Sequence, residues 1–320
     1  MILEPAGTTF LTPSAPFHFD ATLFKPSHFP IGCRMHEPGA YWQTLRWRDQ
    51  LMGIKMSDRG TLNEPRIQLD LFANRPLSAD LVDALAEELV WRFDLDANLA
   101  GFIEACGDDP VLAPALERWR GMRVGSSYSL YEYLAVAIVL QNTTVRRSVQ
   151  MMQALFDRFG SRVTFDDRDL CGFWQPEDLT SVSEEELRQL KVGYRAKSIS
   201  RIAKFFAEGQ IDALSLRDRG REETKDELLR LYGVGPASVW YILFEVFHHY
   251  DAFDVISPWE QKIYSRLLFD SELEAADVVL EEVRKRWGPW RMLAAHYVFE
   301  DLFWRRRNQS VPWLEKLIRL

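Results

Sequence analysis

Two glycines and a run of cations are the parts of this sequence best suited to gripping an anion. At 228–244 the chain reads Leu-Leu-Arg-Leu-Tyr-Gly-Val-Gly-Pro-Ala-Ser-Val-Trp-Tyr-Ile-Leu-Phe. Gly233 and Gly235 close one helix and open the next, Val234 pins the turn to a core, and the glycines leave backbone N–H groups uncovered. Uncovered amides at a helix start bind phosphate, although an ordinary tight turn between helices has the same spacing. Upstream, Lys191–Lys204 carries five Lys or Arg and no acid. On a chain with a net charge of −8, that segment is the candidate for a local basic face, with a plain solvated helix face as the alternative. Downstream, Ser257-Pro-Trp-Glu260 is a capping box with Pro at the first helical position, so that Glu260 reaches back to the Ser257 amide. The Gln141-Asn-Thr-Thr turn reads, in isolation, as a helix N-cap. Cys33, Cys106 and Cys171 are odd in number and tens of residues apart, and His248-His249 have no partner ligands at metal spacing. Neither a metal nor a cofactor is expected.

The elements that hold these residues fall into two kinds. A chain of 320 residues with 47% hydrophobic and 13% aromatic residues can bury a large core, which excludes disordered and low-complexity classes. The first 75 or so residues contain short, aromatic, partly alternating segments at 17–24, 41–48, 50–57 and 66–73, separated by Pro and Gly, as in antiparallel strands. From Ser78 onward the apolar spacing becomes helical, with further helices expected near 128–140, 143–159, 183–190, 196–208, 222–231, 236–248 and 257–269. The expected class is α+β, mainly α: a β-rich N-terminal domain at 1–77 and a helical domain at 78–320, with the hairpin near 226–245. The net acidity argues against binding membranes or polyanions through the whole surface. The longest purely apolar run, Tyr133–Leu140, is far too short to span a bilayer, and no signal-peptide pattern opens the chain. The sequence therefore reads as a monomeric, cytoplasmic protein.

The order and spacing of these pieces resemble the helix–hairpin–helix (HhH-GPD) DNA glycosylases, in the branch that holds 3-methyladenine DNA glycosylase II and the 8-oxoguanine glycosylases. The matching pieces are Phe93-Asp-Leu-Asp-Ala-Asn-Leu with Asp108-Asp-Pro, the Leu134–Gly160 stretch, Phe173-Trp-Gln-Pro-Glu-Asp-Leu, Gly193-Tyr-Arg-Ala-Lys, the hairpin, and Trp287-Gly-Pro-Trp-Arg. They cover roughly 75–305. The resemblance implies that the N-terminal sheet is the TATA-binding-protein-like (TBP-like) domain of that branch. It also implies that the partner is double-stranded DNA carrying a damaged or modified base, with the protein at the nucleoid when bound.

Hydrolysis of an N-glycosidic bond builds positive charge on the sugar, and a buried carboxylate facing C1′ stabilises it. In the family this acid lies just after the hairpin. Read from Asp254, one register puts Glu260 in place of the family's Asp, one methylene longer. The 8-oxoguanine register puts Ser257 there, which would remove the acid. Asp251 and Asp254 stand in reserve. The strand-nicking lysine of bifunctional members corresponds to Ala237, which implies a monofunctional enzyme that leaves an abasic site; its default substrate is an alkylated purine, and the small residue gives room for an enlarged base unless Trp240 or Trp259 refills the space. Asn142 corresponds to the wedge that fills the hole left by a flipped base. Gly233, Gly235 and the Ser238 hydroxyl would anchor a phosphate, with Tyr194, Arg195 and Lys197 lining the approach. Trp240, Tyr241 and Trp259 are the expected stacking residues of the base pocket. The alternative function is a non-catalytic, glycosylase-like protein that recognises lesions without cutting.

Overall fold

The computed structural model describes residues 1–48 and 50–317. Five strands, β1 (Glu4–Leu11), β2 (Arg34–Glu37), β3 (Ala40–Trp47), β4 (Gln50–Asp58) and β5 (Ile67–Ala73), form one antiparallel sheet in the order β1-β5-β4-β3-β2. One sheet face buries Tyr41, Met52, Ile54, Met56, Leu69 and Leu71. Each large side chain removed from water there contributes roughly 1.5–3 kcal/mol before the entropy of ordering is subtracted.

The segment at 17–24, expected as a strand, is mostly the short helix α1 (Phe19–Leu23). His18 caps it, with Nδ1 accepting from the Ala21 N–H at 3.3 Å. Phe19, Ala21, Thr22 and Leu23 are all buried, so the alternation in the sequence does not mark one wet and one dry face, and the local cap decides the backbone.

The helices follow as α2 (Ala79–Arg92), α3 (Ala100–Cys106), α4 (Ala113–Arg118), α5 (Leu130–Leu140), α6 (Val145–Phe159), α7 (Glu184–Gln189) and α8 (Arg195–Ala207). After these come α9 (Arg221–Leu229), α10 (Pro236–Glu245), α11 (Pro258–Phe269), α12 (Ala276–Trp287), α13 (Arg291–Asn308) and α14 (Pro312–Glu315). Their apolar faces meet in one large core that includes Leu134, Leu155, Trp174, Val239 and Trp287. The protein is α+β and mainly α.

A second hairpin, β6 (Ser161–Phe165) and β7 (Arg168–Gly172), was not legible as strands. It turns on Asp166 and Asp167 at φ +47° and +57°, the both-left-handed geometry of a tight two-residue hairpin. It packs Val163, Phe165 and Leu170 against Leu3, Trp42, Leu51 and Phe72 of the N-terminal sheet. On the other sheet face lie Leu85 and Leu89 of α2. Two elements beyond residue 77 thus cover the two faces of the sheet.

Candidate active site and DNA-binding face

The hairpin is built around two glycines with different duties. Gly233 has φ +95°, and a Cβ on it would lie 2.9 Å from Ser198 Oγ of α8, so both backbone and packing require glycine. Gly235 is the N-cap of α10 at φ −115°, and a Cβ there would meet nothing within 4 Å. The start of α10 therefore faces open space, and Ala237 is exposed beside it. The Gly235 N–H donates to Ser238 Oγ at 2.9 Å, and that hydroxyl donates back to the Gly235 carbonyl at 3.1 Å. Ser238 thus shapes the turn and, in this state, offers its hydroxyl to no one else.

Next to the hairpin the α5–α6 turn projects Asn142, exposed and at φ +48°. Gln141 Nε2 donates to the Gly233 carbonyl at 2.9 Å, and Asn142 Nδ2 donates to the Tyr194 hydroxyl at 3.4 Å. Tyr194 is 58% exposed, whereas Arg195 is only 7% exposed and spends its guanidinium on the Gln141 carbonyl. Arg195 is accordingly a strut behind the turn and not a solvent-facing cation. Lys197 and Arg201 stand 5.3 and 4.2 Å from the ring centre of Tyr232, so the outward charge of α8 comes from these two and Lys204, with the exposed Lys191 in the turn before it. Turn, basic helix and hairpin share one face.

Behind this face a cavity of about 260 Å³ opens between the helical core and the loop that leads from α1 to β2. Glu260 lies on its wall and is 6% exposed. Ser257, the N-cap of α11, donates to Glu260 Oε2 through Oγ at 2.5 Å and through its N–H at 3.2 Å. Tyr241 donates its hydroxyl to Oε1 at 2.5 Å. Burial and the neighbouring Glu260 charge hold the Tyr241 hydroxyl well above its ordinary pKa, and the same two causes act on Tyr264; both phenols stay protonated, and Tyr241 is a donor to the carboxylate. The capping box and the cavity acid are therefore the same residue. Its carboxylate lies against the side chain of position 257, so the two registers read from the sequence converge on one place in space.

The reserve acids face elsewhere. Asp254 pairs with Arg291 at 2.9 Å and with Arg221 at 3.3 Å, and Asp251 pairs with Arg221 at 2.8 Å. Neither lines the cavity. Of the expected stacking residues, Tyr241 is on the cavity wall and Trp240 and Trp259 are not. Trp240 is covered by Arg221 and Lys225, 5.6 and 5.5 Å from its ring centre. Trp259 points outward, 38% exposed, edge-on to Phe299. Ala237 lies one helical turn outside Tyr241 and is not part of the lining. Aromatic surface inside comes instead from Phe93, Tyr133, Phe253, Tyr264 and Phe299.

Residues 135–306 match the family described as HhH-GPD superfamily base excision DNA repair protein. The chain belongs to that family. It is 22% identical over 242 residues to the DNA-3-methyladenine glycosylase of Bacillus subtilis, covering 75% of this chain and 80% of that one. A probable N-glycosylase/DNA lyase of Methanothermobacter thermautotrophicus is 25% identical over 234 residues, 67% of this chain and 74% of that one. Among solved structures, the 3-methyladenine DNA glycosylase of Archaeoglobus fulgidus superposes with a TM-score of 0.75 at 19% identity, over 92% of this chain and 98% of that one. The apo 8-oxoguanine glycosylase/lyase of Clostridium acetobutylicum gives 0.69 at 15% identity, over 94% and 98%. These likenesses fix the fold. With the family match, they make this HhH-GPD protein a DNA-binding glycosylase of base excision repair.

The HhH-GPD cavity also holds groups that the sequence reading passed over: Lys25, His28 and Arg34 from the loop before and at β2, Glu245 from α10, and His296 and Glu300 from α13. Three of them had a signal. Glu245 ends an otherwise apolar helix on the Ala237–Tyr241 stripe, and His296 and Glu300 are four apart in a largely apolar stretch. Polar residues inside an apolar helical face require buried partners.

Proposed function

We propose that this protein is a monofunctional DNA glycosylase that draws a damaged or modified base out of duplex DNA and hydrolyses its N-glycosidic bond, using the Glu260 carboxylate. The observation that carries the reading is a nearly buried carboxylate on the cavity wall, held from two sides by Ser257 and Tyr241. A negative charge held in place at a nearly buried site stabilises an oxocarbenium-like sugar without reorganising during the reaction, and it is placed to take a proton from the attacking water.

The monofunctional part of the reading is supported by the placement of the amines. A Schiff base needs an uncharged lysine at the sugar, and the start of α10 offers Ala237. Lys25 is the lysine that lines the cavity, and its Nζ donates to the Thr22 and Val124 carbonyls at 3.1 and 2.8 Å, which ties it to the α1 side. On the DNA side, Gly233, Gly235, Tyr194 and Lys197 serve the phosphates, and Asn142 fills the vacated stack.

The test is release of base from duplexes carrying single lesions, an alkylated purine first, read as strand cleavage only after alkali. Alkali-dependent cleavage with no borohydride-trapped protein supports the whole reading. Cleavage without alkali, with a trapped adduct, overturns the monofunctional part. Tight lesion binding with no product identifies a non-catalytic recognition protein instead.

A further inference from the structure

Along one face of α10 lie Ala237, Tyr241 and Glu245, four residues apart, so the wall runs about 6 Å past Tyr241 before it meets Glu245. The far end of the cavity there is neither apolar nor closed off chemically. Lys25 gives two of its three protons to carbonyls. Glu300 accepts from the Ser27 N–H at 2.8 Å and from its hydroxyl at 2.6 Å, which leaves lone pairs on both oxygens. Arg34 Nε and His296 Nε2 have no hydrogen-bond partner among the described residues and lie out of reach of a water molecule, so it is the remaining atoms of these two half-buried side chains that face the cavity. Glu245 shares this part of the wall with Tyr133. Donors and acceptors thus stand together beyond the level at which a base would stack on Tyr241, and two nitrogens are unmatched.

Buried polar groups of this kind are costly unless a ligand completes them, and sites so built reject analogues lacking the matching group by about 10⁴–10⁵-fold. The alkyl group that distinguishes a plain methylated purine offers such a floor only hydrocarbon. The cavity is continuous from Glu260 to Glu300. Resting on the glycosylase reading above, we infer that the base this enzyme removes carries a polar arm ending in an amide-like group, whose oxygen meets His296 and Arg34 and whose N–H groups meet Glu245 and Glu300. Burial raises the carboxyl pKa of both Glu245 and Glu300 and lowers that of His296 well below the ordinary histidine value, which suits the floor to a neutral polar group better than to an ion.

The experiment compares single-turnover release from duplexes holding one adenine with an N6-carbamoylmethyl arm, or one with an N6-isobutyl arm of the same shape. The same pair is placed on C5 of uracil, and a methylated purine serves as reference. The wild-type protein is expected to release a carbamoylmethyl base at least tenfold faster than its isobutyl counterpart. His296→Phe, which keeps the edge contact to Phe244 and breaks no existing hydrogen bond, should shrink that preference to below threefold. Glu245→Gln gives a second readout should the first variant fold poorly. Release of the methylated purine with no preference between arms at either attachment point overturns the inference and leaves the glycosylase reading standing. Release from no duplex removes that reading, and the inference with it.

Discussion

Replacing Glu260 by Gln isolates the charge from the shape. The amide can turn its oxygen toward the Ser257 N–H and hydroxyl and its NH₂ toward Tyr241, whose hydroxyl is able to accept as well as donate. The fold should therefore survive, losing only the difference between charge-assisted and neutral hydrogen bonds, about 1–2 kcal/mol. Catalysis should suffer more. A unit charge about 4 Å from a developing cation is worth roughly 4 kcal/mol at an effective dielectric of about 20, which is about 10³-fold in rate. The assay is single-turnover base release on the best duplex substrate, with duplex affinity and the melting temperature measured alongside. A folded Glu260→Gln protein that binds the same duplex and releases base within tenfold of the wild-type rate would refute the assignment.

Further outcomes follow from the same geometry. Ser257→Asp added to Glu260→Gln should restore at least tenfold of the lost rate, because an acid at the N-cap reaches the same place, and no gain in a well-folded double variant would separate the two positions. Gly233→Ala should cost about 1–3 kcal/mol, from a positive φ and a Cβ pressed on Ser198, and should weaken duplex binding regardless of sequence in a fluorescence titration. Ala237→Lys should yield a borohydride-trapped DNA adduct, read on a denaturing gel, since it places an amine one turn outside Tyr241. Burial pushes the Glu300 carboxyl up to about 7 from an ordinary 4.5. Folding therefore holds a proton that the unfolded chain has released, and this contribution, full below the ordinary value, is lost as pH rises through about 7. The melting temperature of the wild type relative to Glu300→Gln should accordingly fall between pH 5.5 and 8.5, and a constant gap would show that the carboxyl titrates normally.

The parts of this architecture that local chemistry dictates were legible in the sequence. Helical spacing located α5, α6, α8, α10 and α11 within a few residues, and the glycine pair marked the hairpin. Local chemistry misled where two periods overlap, as at Phe19–Leu23, where a side-chain cap and burial on all sides overrode an alternating pattern. The β6–β7 hairpin escaped because Asp-Asp is a weaker turn signal than Asn-Gly. The Glu260 motif posed a choice between cap and cavity acid that one dimension could not resolve, since the same three-residue reach serves both. The polar floor was out of sight for another reason: Lys25, Glu245 and Glu300 come from three distant stretches, and their burial is a property of the assembled core.

The ties around Gln141 bear on how the molecule reads a duplex. Its amide holds the Gly233 carbonyl, its own carbonyl is held by Arg195, and the neighbouring Asn142 rests on Tyr194. The α5–α6 turn and the glycine hairpin are thereby bolted into one gauge of fixed span. If the hairpin seats a phosphate and the Asn142 tip enters the duplex as proposed, that span sets how far the tip penetrates, and each nucleotide passing beneath is tried at the same depth.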